Sequence, residues 1–423
     1  MRASGSHLDS WLARLETLSP VGINLGLTRI EQMLGRLGLR LPETVFIVGG
    51  TNGKGSSVIM LEALLAAGGL RVGSYLSPHV SRYNERIRIE GRDAADDAII
   101  AAFERVEGLR DDVPLTYFEF GTLAALEIFA GQDLDALVLE VGMGGRLDAV
   151  NAVEPTASLI TNVALDHCEW LGSDVEAIGR EKAGILRAGK PGVFADREPP
   201  RSVLEHAAAI GAELRVAGRD YDWTASGARW SWQGATRRLE DLPRPALPGS
   251  IQLKNAAGAL ALLEAAGRDE LLAPDRVARA LGALALPGRM QAVTRQGRFL
   301  FDVAHNPAAA RVLAAMLGED PPAGRTVAII GMLDDKDVDG VAAALGAVVE
   351  RCVALAPDSP RALPAPELGR RLANVTGRAC RIATSIPEAL AHARRLAGED
   401  GRILVTGSFY LVGPVADALA AES

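Results

Sequence analysis

The segment that most constrains this chain runs from Thr44 to Ser57. An apolar run, TVFIV, passes at once into Gly49-Gly50-Thr51-Asn52-Gly53-Lys54-Gly55-Ser56-Ser57, after which Val58, Leu61, Leu64 and Leu65 recur at helical spacing. Strand, glycine-rich turn and helix in that order let backbone N–H groups at a helix start wrap a polyphosphate, with Lys54 adding a compact positive charge. The string departs from GxxxxGK[ST]: Val48 stands in the place of the first Gly, and Gly55 separates Lys54 from the hydroxyls of Ser56 and Ser57. A plain glycine turn is the alternative; the lysine and the flanking pattern favour a nucleotide phosphate.

The rest of the chain alternates in the same way. Helices are predicted near Ser10 to Leu18, Thr28 to Leu37, Ala94 to Glu107, Glu119 to Ala130 and Val175 to Arg187, with strands at Val72 to Leu76, Leu134 to Val141 and Ala157 to Val163. Such alternation favours an α/β fold with a parallel sheet flanked by helices on both faces. Around Trp223, Trp230 and Trp232 a period of two suggests an antiparallel excursion at the edge of that domain. Helices near Lys254 to Ala265 and Pro274 to Leu284 lead into Leu286-Pro287-Gly288-Arg289, which reads as a hinge. Strands then restart near Arg298 to Val303, Thr326 to Ile330, Arg351 to Leu355, Arg378 to Ile382 and Arg402 to Thr406. The expected division is residues 1–285 for a first domain, 286–297 for the hinge and 298–423 for a smaller, Rossmann-like α/β domain.

A length of 423 residues suits two or three domains. The balance of 45 basic against 53 acidic residues, a net −8, argues against capture of nucleic acid or of an anionic membrane. Cys168, Cys352 and Cys380 show no CxxC spacing, so neither a disulfide framework nor a structural zinc site is supported. The N-terminal stretch lacks the pattern of a leader, and no apolar run reaches the length of a membrane span, so a cytoplasmic protein is expected.

A phosphate loop needs a hard cation, and Mg2+ takes oxygen ligands. Glu140 closes the apolar run LVLE, where a parallel sheet presents ligands and a charge is costly without a role. A carboxylate capping a neighbouring loop is the other reading. His167, in LDHCEWLG, follows the next strand and could share that rim, although a lone histidine is usually structural. Asn306 before Pro307 is a good helix start.

Together the segments resemble the folylpolyglutamate synthetase/dihydrofolate synthetase family of the Mur ligase superfamily. The resemblance rests on GTNGKGSS from Gly50, YLSPHVSRYNERIRI from Tyr75, LTYFEFGTLAALEIF from Leu115, LEVGMGGRLDAVN from Leu139, LDHCEWLG from Leu165, IGREKAGILR from Ile178, LPGRMQ from Leu286, DVAHNPAAA from Asp302 and GMLDDKD from Gly331. It implies a Mur-ligase-like P-loop domain plus the smaller C-terminal domain. It also implies an ATP-dependent ligase that activates a pterin or folate carboxylate as an acyl phosphate and couples it to L-glutamate. Dihydropteroate and reduced folates would be the acceptors, and the enzyme would be a monomer.

The same resemblance implies the site. Thr51, Asn52, Gly53, Lys54, Gly55 and Ser56 would hold the ATP phosphates, and Asn255, Arg289 and Asp302 would contact the nucleotide. Ser77, Glu140 and His167 would hold Mg2+, in a pair of ions, beside a carbamate on Lys182. Lys54, Lys182 and His167 would serve catalysis. Ile23, Leu25, Thr116, Phe118, Glu119, Asp148 and Ala149 would surround the pterin. Arg82 and Arg86 are candidates for glutamate's own carboxylates. A cell-wall Mur ligase is the nearest alternative, but only 49 residues precede Gly50, too few for its extra N-terminal domain. A P-loop NTPase or kinase of other purpose would not call for the second α/β domain.

Overall fold

The computed structural model describes residues 7–18 and 24–422, so Ile23 lies outside the described residues. An eight-stranded sheet organises the N-terminal part, in the order Arg92–Asp93, Ile87–Ile89, Val72–Tyr75, Ala136–Glu140, Thr44–Gly49, Ala157–Ile160, Pro191–Phe194, Glu213–Val216. From Val72–Tyr75 onward every pairing is parallel. The two outermost strands at the other end run antiparallel. Along Thr44–Gly49 the side chains divide between two layers. Val45 and Ile47 pack with helices Asp96–Arg110 and Tyr117–Ala130, whereas Phe46 and Val48 pack with helices Lys54–Ala67 and Ile251–Ala265. Burial on both faces is why this strand reads as an unbroken apolar run.

The tryptophan segment forms the expected antiparallel excursion as a three-stranded sheet of its own, Asp222–Ser226, Arg229–Gln233 and Arg238–Pro243. Trp230 and Trp232 bury one face of it against helix Ile251–Ala265. Glu264, on that helix, accepts the backbone amides of Ala235, Thr236 and Arg237 and pairs with Arg215 at 2.7 Å. The helix expected to reach Arg187 stops at Ala183. Gly184 there meets the Arg146 backbone so closely that a Cβ would lie 2.7 Å from Arg146 Cα.

The C-terminal sheet has six strands, in the order Gln291–Thr294, Arg298–Phe301, Arg402–Thr406, Thr326–Ile330, Arg351–Ala354, Cys380–Ile382. All but the first pairing are parallel. Its layers again alternate, Ala328, Ile330 and Leu404 on one face and Val327, Ile329 and Val405 on the other. Within the stretch 286–297 expected as a hinge, Gln291–Thr294 is the antiparallel edge strand of this sheet, so the free connection ends at Met290. Among the described residues no helix is long and apolar enough to cross a membrane.

Candidate active site

Sheet register gathers the site on one rim. Val48 pairs with both Glu140 and Leu159, and Gly49 with Ile160, so three neighbouring strands end together at their carboxyl ends, where parallel sheets hold ligands. Gly50 turns there at φ +140°, and a Cβ on it would fall 1.8 Å from Thr161 Oγ1. Gly53, at φ +87°, would place one 2.7 Å from Asn255 Oδ1. Glycine alone fits either place.

Two amides of the loop already have protein acceptors. Thr51 N donates to the Asn162 carbonyl at 3.0 Å, and Asn52 N to Asn162 Oδ1 at 2.9 Å. These bonds shape the loop. Ser57 N closes the first helical bond on Gly53 O, which leaves the amides of Gly53, Lys54, Gly55 and Ser56 at an open helix start. Lys54 Nζ donates to the carbonyls of Gly50 and Thr51, each at 3.2 Å. Asn255 gives its Nδ2 to Gln252 at 2.9 Å, and its buried Oδ1 has no hydrogen-bond partner among the described residues.

Glu140 is buried, and its Oε2 accepts from Ser77 N at 3.0 Å. Burial raises its carboxyl above the ordinary range against the pull of Lys54. Ser77 Oγ is buried without a hydrogen-bond partner among the described residues. His167 has left-handed backbone, φ +52°, and burial pushes its imidazole down to about 4, so it is uncharged and able to ligate at neutral pH. An orphaned hydroxyl, a carboxylate and a neutral imidazole fit a divalent cation whose other ligands are phosphate oxygens and water. Among the described residues no three His, Cys, Asp or Glu side chains form a metal cluster alone. Lys182 is 3% exposed and donates to Gly50 O at 3.0 Å. Burial, and then the charge of Lys54, push its amine down to about 7.

These groups line a cavity of ≈ 550 Å³ that also takes in Asn255, Arg289 and Asp302. Arg289 lies over the Phe409 ring at 5.4 Å, and Asp302 accepts from Met290 N at 3.1 Å and Ala304 N at 2.9 Å. A second cavity of ≈ 320 Å³ holds Leu25, Thr116, Phe118, Glu119, Asp148 and Ala149. Six residues line both: Ser77, Pro78, Gly142, His167, His305 and Phe409. Thr116 and Glu119 reach the second cavity already hydrogen-bonded. Glu119 N donates to Thr116 Oγ1 at 3.2 Å, Thr116 N to Glu119 Oε2 at 2.8 Å, and Arg29 Nε to Glu119 Oε1 at 3.0 Å. Phe118 is the flat apolar wall, set so close to Gly142 that a Cβ there would lie 2.5 Å from its ring. Asp148 accepts from Met143 N at 2.9 Å and Val150 N at 3.0 Å, and burial raises its carboxyl to about 6.

Sequence reasoning gave no role to Asn162, which shapes the loop, or to Asp166 and Lys336, which fasten the two halves. Asp166 Oδ1 meets Lys336 Nζ at 2.7 Å, while Oδ2 accepts from Asn306 Nδ2 at 2.9 Å and lies 3.3 Å from His305 Nε2. Asn306 Nδ2 also donates to Asn52 Oδ1 at 3.0 Å. Despite burial, His305 and Lys336 hold the Asp166 carboxyl well below the usual carboxylate range. The available signal was position, since Asp166 adjoins His167 and Lys336 sits within GMLDDKD.

A glycine loop on a parallel sheet, opening onto an aromatic-walled cavity and closed by a second α/β sheet, defines a two-part nucleotide-dependent enzyme. Residues 48–263 match the Mur ligase middle domain and residues 288–409 the Mur ligase glutamate ligase domain. The chain is 41% identical over 420 residues to the dihydrofolate synthase/folylpolyglutamate synthase of Escherichia coli, across 99% of this chain and 97% of that protein. Against the Haemophilus influenzae protein of the same name identity is 37%, over 96% of each. Among solved structures, E. coli FolC in complex with DHPP and ADP superposes with a TM-score of 0.92 at 40% identity, over 100% of this chain and 99% of that one. A bifunctional folylpolyglutamate synthase/dihydrofolate synthase with Mn, AMPPNP and L-glutamate bound gives 0.89 at 41%, over 98% of each.

The chain therefore belongs to the Mur ligase family and, within it, to the dihydrofolate synthase/folylpolyglutamate synthases. It is accordingly an ATP-dependent carboxylate–amine ligase.

Proposed function

We propose that this ligase activates the carboxylate of dihydropteroate and of reduced folates with ATP and couples it to L-glutamate, making dihydrofolate and extending folates with further glutamates. The observation that carries this reading is the shared lining of the two cavities at Ser77, Pro78, Gly142, His167, His305 and Phe409. In this reading the phosphates held by the loop meet there the carboxylate of a substrate whose ring lies against the aromatic wall. The relatives described above carry ADP, AMPPNP, Mn, DHPP and L-glutamate in their structures.

A carboxylate is a poor electrophile until its oxygen becomes a phosphate, so the γ-phosphoryl group passes to it and phosphate later leaves as the glutamate amine attacks. In this reading the amides of Gly53 to Ser56 and the Lys54 ammonium hold the phosphates as charge moves between them. Ser77, Glu140 and His167 hold Mg2+, which supplies further charge neutralisation when bound. Lys182, its amine neutral near pH 7, takes up CO2 as a carbamate and so turns from a cation into an anion beside the metal ions. Asn255, Arg289 and Asp302 receive the nucleotide. Phe118, Leu25, Ala149 and Asp148 receive the pterin, with Thr116 and Glu119 acting as the rigid frame behind Phe118.

Residues 1–285 and 298–423 act as two domains closing on ATP. A monomer suffices, since both cavities are lined by one chain, and a cytoplasmic setting suits ATP and free thiols.

The test is phosphate release from ATP and Mg2+ with L-glutamate, comparing dihydropteroate, tetrahydrofolate and a UDP-muramyl acceptor, with product masses read in parallel. One glutamate residue gained on each pterin is the expected result. Gain on tetrahydrofolate alone narrows the activity to polyglutamylation, and turnover indifferent to the acceptor overturns the reading.

A further inference from the structure

The second cavity contains a buried cation that, among the described residues, forms no ion pair with an acid. Of the guanidinium and ammonium groups lining this cavity, Lys336 pairs with Asp166 and Asp335, and Arg361 with Asp335. Arg86 also lines it and is 7% exposed, yet among the described residues it forms no ion pair with a carboxylate. Its Nε donates to the neutral acceptor His79 Nδ1 at 2.9 Å, and its guanidinium carbon lies 5.3 Å from the Tyr83 ring centre and 5.6 Å from that of Tyr117. Tyr410, from the C-terminal half, lines the same cavity and acts on the charge of Arg86. Arg82, four residues earlier, is different. Its side chain is 69% exposed and pairs with Asp96.

A buried charge without an opposite charge is costly, and aromatic faces compensate only part of that cost. Arg86 thus presents a desolvated, permanently charged fork, shaped for two parallel hydrogen bonds to a carboxylate, in a cavity otherwise depleted of free cations. We propose that Arg86 binds a substrate carboxylate, that of the incoming L-glutamate. This rests on the ligase reading above. L-Glutamate carries two carboxylates that remain anionic throughout the reaction, whereas dihydropteroate carries a single one, which is taken up by phosphoryl transfer at the loop. The group whose charge persists is the better match for a fixed guanidinium.

Steady-state ligation by the wild type, Arg86→Met and Arg86→Lys tests this with dihydropteroate as the pterin, varying L-glutamate, dihydropteroate and ATP in turn. Arg86→Met should raise KM for L-glutamate about tenfold or more, with KM for ATP unchanged and Arg86→Lys falling between. A rise in the pterin KM instead would keep the carboxylate role and overturn its assignment to glutamate. Unchanged KM for both, in a variant that ligates, would overturn the proposal alone, while absence of glutamate incorporation by the wild type would overturn the ligase reading with it. A second readout keeps the idea testable should Arg86→Met fold poorly. L-Glutamate should raise the melting temperature of the AMPPNP-bound wild type more than that of Arg86→Lys, and equal shifts would count against the role.

Discussion

Lys182 illustrates how a side chain's surroundings set its chemistry. In sequence it is one helix lysine among others; in the fold it is sealed against Gly50 O with its amine pushed down to about 7. Between that value and the ordinary lysine value of 10.5 the folded protein has released a proton that the unfolded chain keeps, so this residue adds stability as pH rises through that window. Below about pH 7 the amine is protonated and closed to CO2. We therefore expect activity to fall below pH 7 and in CO2-depleted buffer, with bicarbonate restoring the latter. Lys182→Ala should lose most activity and regain part of it with formate; full activity without any small acid would remove the carbamate. Lys54→Met should lower kcat/KM by about 10² to 10³ with an unchanged melting temperature. Lys54 was legible because a loop and a helix flank it in sequence. Arg86 and Arg82 look alike in sequence, because exposure and pairing, which separate the two, are properties of the folded chain.

Elements that are buried on both faces were the easiest to read. Thr44–Gly49 and Thr326–Ile330 are unbroken apolar runs because helices cover both sides. Pro191–Phe194 went unread although it is an inner strand, since Pro191 and Gly192 carry turn chemistry that neighbouring strands override. Gln291–Thr294, mostly exposed, has no apolar pattern and takes its strand form from pairing with Arg298–Phe301. Two predictions belong at this scale. Gly53→Ala should abolish nucleotide binding by isothermal titration, because φ +87° and the contact with Asn255 leave no room for a methyl group. Glu264→Ala should cost about 3 kcal/mol in urea unfolding, since it strands Arg215 and three backbone amides; a loss within 0.5 kcal/mol, about what an ordinary surface change brings, would deny it that role.

At the scale of the whole molecule the decisive contacts join residues far apart in the chain. Asp166, His305, Asn306 and Lys336 converge across the cleft, and no local pattern encodes that convergence. Asp166→Asn should loosen it, raising the radius of gyration by small-angle scattering in the absence of nucleotide and lowering kcat about a hundredfold through misplacement of the reacting groups. An unchanged scattering profile would show that other contacts hold the halves. The three-stranded sheet around Trp230 stands apart from all this. It contributes nothing to the lining of either cavity, and its hairpin turn at Ser226, Gly227 and Ala228 is exposed, with Gly227 at φ +55°. That turn is accordingly a mounting point: a fluorophore, an affinity peptide or a second protein could be spliced in there and report on cleft closure from a distance, leaving the catalytic rim untouched.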